Sequence, residues 1–133
     1  MKRVHLDWLG DYMFDGVDSA GMPVDVDGRS QRGTKPSDLL PLALGSCSGY
    51  DVVAALTDRG DLRNVAISVS YSQQPEPPWT FQRFKVHFVV TGNGYSDDVV
   101  AAAIRESIDH QCSVAATVKP TAAIETSFEL REA

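Results

Sequence analysis

Hydrophobic and polar positions along the chain change period several times, and each change marks an element. From Arg3 to Leu9 the residues alternate, with Val4, Leu6 and Trp8 on one side and His5 and Asp7 on the other, which predicts a half-buried strand. Gly10-Asp11 and Asp18-Ser19-Ala20-Gly21 read as turns, so Tyr12–Val17 and Met22–Val26 complete an antiparallel meander. A polar, glycine-bearing loop follows, and Pro36 suits the first turn of a helix, where a missing N–H costs nothing. That helix is expected to run to Arg59, with Gly60 as its terminator.

Two longer alternating stretches come next. Val65, Ile67, Val69 and Tyr71 form one apolar row, and Phe84, Val86, Phe88 and Val90 form another. Pro75, Pro77 and Pro78 between them predict a loop rather than a tight hairpin. Ser96 then reads as an N-cap, with Asp97 and Asp98 favouring the positive end of the helix dipole. Val99, Val100, Ala103, Ile104, Ser107 and Ile108 share one face of this second helix. Asp109-His110-Gln111 interrupts it, Cys112–Val118 adds a further helical turn, and Ala122–Leu130 alternates as a last strand. The order β-β-β-α-β-β-α-β has too few helices for a doubly wound sheet, so the class is α+β in a single domain over residues 1–133.

The first helix stands out in composition. Leu39, Leu40, Leu42, Ala43, Leu44, Cys47, Val52, Val53, Ala54, Ala55 and Leu56 leave almost no polar face in its middle. A helix apolar nearly all round must be buried nearly all round. A chain of 133 residues has little material for that, so a second copy of the chain is the expected cover.

Net charge is −6 with no basic stripe, which argues against nucleic acid or an anionic membrane as partner. The longest uninterrupted apolar run, Leu39–Leu44, contains Pro41 and is too short to span a bilayer. No secretory pattern follows Met1-Lys2-Arg3, and two cysteines without one imply free thiols in a reducing, cytoplasmic setting. His5, His87 and His110 are scattered and no CxxC or HxxxH occurs, so no metal site is expected. No phosphate loop or GxSxG elbow is present.

The two thiols remain. Cys47 shares a helix side with Leu40, Ala43 and Leu44, where a small buried hydrophobe is the slightly stronger reading of local features. Its flanks Gly45, Ser46, Ser48 and Gly49 instead permit close approach of a partner helix or a substrate. Cys112 opens a helical turn, where backbone amides favour a thiolate, but it equally suits packing beside Val114 and Ala115.

Lys35-Pro36-Ser37-Asp38-Leu39-Leu40-Pro41-Leu42-Ala43-Leu44-Gly45-Ser46-Cys47 resembles the helix start and first cysteine of the OsmC/Ohr family. Phe84–Val90 resembles that family's strand before its second helix, and His110-Gln111-Cys112-Ser113-Val114 its second cysteine motif. With the meander and the last strand, the resemblance extends over essentially the whole chain. It implies antiparallel sheets around a long central helix in an intertwined homodimer. It also implies a peroxidase without cofactor: Cys47 attacks the hydroperoxide, Cys112 resolves the sulfenic acid as a disulfide, and an external dithiol reduces it. Family members supply an arginine from the first hairpin and a glutamate near the helix start. Here Asp38 stands at the acid's place, and the hairpin Gly10–Pro23 has no arginine, leaving Arg29 and Arg32 in the next loop as candidate cations. The pattern is closer to the family's less characterised branch than to its efficient organic-hydroperoxide reductases, and without the hairpin arginine any activity is expected to be weak. The alternative is a dimer with little peroxidase activity that binds a small apolar or electrophilic ligand at its interface. A purely structural dimer would have unreactive thiols.

Overall fold

The computed structural model describes residues 1–133, which form two compact units, Met1–Leu40 and Pro41–Ala133. In the first unit, β1 (His5–Gly10), β2 (Met13–Val17) and β3 (Pro23–Asp27) make an antiparallel sheet in that order. Gly10, at φ +110°, and Asp11 turn the first hairpin. Gly16 is buried against Val24 and Leu6, with no space for a Cβ. The alternating apolar residues of β1 are not half-buried as their pattern predicts. Val4, Leu6, Trp8 and Leu9 are exposed, as are Tyr12, Phe14 and Met22. Alternation tells which residues share a face, and a three-stranded sheet needs a second layer before that face is buried.

The loop after β3 is organised by one carboxylate. Asp27 accepts from the backbone N–H groups of Arg29 (2.9 Å), Gln31 (3.3 Å) and Arg32 (3.0 Å). These bonds, the Arg29 N–H first, hold its carboxyl below the ordinary range.

Pro36–Asp38 is a single 3-10 turn that runs into α1 (Leu39–Thr57). Pro41 therefore lies in the first α-turn, where its missing donor has no partner to lose. The helix ends three residues before Gly60. Its last turn is closed by the Arg59 N–H and the Tyr95 hydroxyl, both donating to the Leu56 carbonyl (3.0 and 2.7 Å). Gly60 serves packing instead of capping: a Cβ there would lie 2.7 Å from the Asn93 carbonyl oxygen and 2.8 Å from the Tyr95 ring.

The second unit holds the larger sheet, β4 (Asp61–Gln73), β5 (Phe81–Asn93) and β6 (Ala123–Arg131). β4 and β5 are antiparallel, but β6 runs parallel to β5, so this sheet is mixed and not wholly antiparallel. The reason is the crossover: α2 (Asp97–Glu106), a π-helical turn (Ser107–Gln111) and α3 (Ser113–Val118) carry the chain back before β6 begins. Ser96 caps α2 as expected, its hydroxyl accepting from the Val99 N–H at 3.3 Å.

The core of this unit follows the alternation. Phe84, Val86, Phe88 and Val90 are buried, whereas Arg83 and Lys85 are exposed. Val100, Ala103, Ile104, Ser107 and Ile108 are buried on one face of the second helical segment. In α1, Gly45 and Gly49 lie against Val69 and Ile67 of β4, leaving no space for a side chain at either position. The small residues beside Cys47 thus admit a strand of the chain's own sheet. Another side of α1 is open: Leu42 is 57%, Tyr50 75% and Val53 40% exposed. The segment Pro36–Thr57 has a mean hydropathy of 1.5, enough by length and composition to cross a bilayer despite its short apolar runs. Its buried face on β4 makes it a core helix.

Candidate functional site: two neighbouring thiols beside a hydrogen-bonded carboxylate

Cys47 lies in the third turn of α1 and is half-buried; Cys112 caps α3 and is buried; both thiols are free. Although far apart in sequence, the two residues are neighbours in the fold, and Cys47 acts on the Cys112 thiol. The fold brings them together by laying the α2–α3 crossover against α1.

The surroundings of Cys112 decide between the two readings its sequence leaves open. As N-cap it does accept a hydrogen bond, from the Ala115 N–H at 3.3 Å. Burial nevertheless pushes its thiol up; the Ala115 and Val114 amides pull the other way, and Cys47 adds to the rise. The net direction is upward, which favours the thiol form of Cys112.

Three polar side chains lie beside the pair. Ser107, the first residue of the π-turn, places Oγ 2.7 Å from Asp51 Oδ2 and 3.2 Å from Ser48 Oγ. An ionised carboxylate can only accept, so the Ser107 proton goes to Asp51 and the Ser48 hydroxyl completes the chain. Ser48 and Ser107 are fully buried, and every such buried group has a partner. The Ser107 carbonyl in turn accepts the Cys112 N–H at 2.7 Å, closing the π-turn directly before the thiol.

The sequence-predicted residues divide between the two units. Cys47 and Cys112 meet in the second, while Asp38 belongs to the first, in the 3-10 turn before α1. Also in the first unit, the Arg29 guanidinium stacks over the Tyr12 ring, 4.7 Å from its centroid. Arg32 directs Nη1 toward the Met13 sulfur at 3.9 Å. Asp51 and Ser107 were not singled out by reading the sequence. The signal for Asp51 was available: it is the only charged residue of α1 and falls one turn after Cys47. Ser107 gave none, since it occupies an apolar-face position.

Fold and site together define an α+β dithiol protein. The OsmC-like protein family model matches residues 28–127, and the chain belongs to that family. It is 29% identical over 130 residues to protein YhfA of Escherichia coli K12, covering 96% of this chain and 97% of that one. A solved structure from Aquifex aeolicus VF5 matches with a TM-score of 0.89 at 25% identity, over 100% of this chain and 98% of that one. The organic hydroperoxide resistance protein OhrB of Bacillus subtilis matches with a TM-score of 0.63 over 97% and 98% of the two chains. At 14% identity that likeness is one of fold.

Proposed function

We propose that this protein is a thiol-dependent peroxidase that reduces organic hydroperoxides through Cys47 and Cys112, with an external dithiol as electron donor. The observation that supports the reading is that the fold makes neighbours of two free thiols, one half-buried and one buried. OhrB, which shares the fold, is named for organic hydroperoxide resistance. Cys47, as the more exposed thiol, attacks the O–O bond; the alcohol leaves and Cys47 becomes a sulfenic acid. Cys112 then attacks that sulfur, water departs with the Cys112 proton, and the Cys47–Cys112 disulfide remains. Two electrons and two protons from the dithiol restore both thiols. The free thiols suit a reducing, cytoplasmic setting. With no arginine in the first hairpin, turnover is expected to be slow.

One equivalent of cumene hydroperoxide under anaerobic conditions should remove both thiols and yield one intramolecular disulfide. Retention of both free thiols would reject the reading. Loss of thiols to an electrophile such as N-ethylmaleimide, but never to a hydroperoxide, would support instead a dimer that binds a small apolar or electrophilic ligand.

The working form is proposed to be a homodimer. The apolar stripe of Leu42, Tyr50 and Val53 on α1 and the uncovered residues of β1 are more than single surface hydrophobes. Light scattering at micromolar concentration should give twice the monomer mass, 14.4 kDa per chain. A folded monomer would contradict it.

A further inference from the structure

The Asp51–Ser107 hydrogen bond and the neighbouring thiols join α1 to the crossover at two places. On α1, Cys47 and Asp51 are one turn apart and face the same neighbour. On that neighbour, Ser107 and Cys112 stand at the two ends of one π-turn, joined by the Ser107 carbonyl and the Cys112 N–H at 2.7 Å. Asp51 holds one end through the Ser107 hydroxyl at 2.7 Å, and Cys47 lies beside the other. A π-turn is a rare local irregularity that occurs frequently at functional sites. Disulfide geometry is narrow, so small rotations of either helix separate the sulfurs. An apolar contact at Ser107 would fill the space but would not be directional, whereas a buried, fully satisfied polar chain fixes register.

We propose that Asp51, acting through Ser107, is a positioning residue that holds Cys112 beside Cys47 for disulfide formation. This rests on the reading of Cys47 and Cys112 as a redox pair, but not on a hydroperoxide being the oxidant. The test therefore uses equilibrium with reduced and oxidised dithiothreitol. Both electrons and both protons of the cysteine pair pass to the reagent's disulfide, which becomes the dithiol.

The wild-type chain should form the Cys47–Cys112 disulfide. Asp51→Ala and Ser107→Ala should each lower its equilibrium constant about tenfold, equivalent to about 30 mV for two electrons. The double variant should fall no further than either single one, because both remove the same contact. Asp51→Asn keeps an acceptor oxygen and should remain within about twofold of wild type. Ser46→Ala, on the exposed side of α1, should have no effect. A merely structural Asp51 would lower thermal stability and leave the redox equilibrium in place; that result overturns the proposal. So do additive shifts in the double variant, or a wild-type chain that forms no such disulfide. Should the buried Ser107→Ala fail to fold, Asp51→Ala at its half-buried position decides the question, with Asp51→Asn as rescue. Shifted equilibria in a chain that consumes no cumene hydroperoxide would keep the pin and reject the peroxidase. Hydroperoxide consumption with unshifted equilibria would do the reverse.

Discussion

Cys47→Ser is expected to abolish hydroperoxide consumption, whereas Cys112→Ser should leave a first reaction and stop the second. A serine hydroxyl at position 47 stays protonated at neutral pH and does not attack the O–O bond, so the loss should be at least about a hundredfold, the range seen when a nucleophile is removed. Without Cys112 the sulfenic acid at Cys47 has no neighbouring thiol. A second equivalent of hydroperoxide should carry it to the sulfinic acid, which dithiols do not reduce. Intact-mass spectrometry separates the outcomes: no oxygen added in Cys47→Ser, one and then two in Cys112→Ser, and a loss of two hydrogens in the wild type. Equal consumption by Cys47→Ser and wild type would place the reaction elsewhere. The reverse pattern, with Cys112→Ser inert and Cys47→Ser oxidised, would exchange the two roles. The buried position of Cys112 and the upward push on its thiol argue against that exchange.

Phe88→Ala should be the most destabilising single truncation in the larger sheet. Phe88 is fully buried in the central strand, opposite Ile67 of β4 and Phe128 of β6. Ile67 in turn fills the space that Gly45 and Gly49 leave open on α1. Removing the ring takes away transfer free energy and leaves a cavity, together about 3–5 kcal/mol. Against a typical total of about 5–15 kcal/mol, that is a large share. Urea unfolding at one fixed protein concentration should show a lower midpoint with an unchanged slope. Lys85→Ala, three residues away on the exposed face, should change stability by less than about 0.5 kcal/mol. A Phe88→Ala midpoint close to that of Lys85→Ala would mean that this face is not the core.

Local chemistry was enough to determine much of this protein. Strict alternation in Phe84–Val90 marked the buried face of β5, because successive strand residues point to opposite sides whatever packs on them. Ser96 followed by two aspartates marked the start of α2, because the N-cap bond is made within one turn. The cysteine motifs, in their order and spacing, pointed to the OsmC-like family that the match over residues 28–127 shows.

Other features depended on partners distant in sequence. The parallel pairing of β6 follows from the direction in which the crossover returns, and alternation is the same for either direction. The end of α1 was placed at Gly60 by sequence, but the Tyr95 hydroxyl, which closes its last turn at Leu56, comes from beyond two strands. Gly45 and Gly49 promised a close approach without saying by what, and the answer is β4. The balance at Cys112 likewise needed the fold, because the amide at Ala115 is local and the burial that outweighs it is not. Asp51 and Ser107 show the same division most sharply. A lone carboxylate in α1 and a serine on an apolar face are each ordinary in sequence, and only packing of the crossover on α1 joins them beside the two thiols.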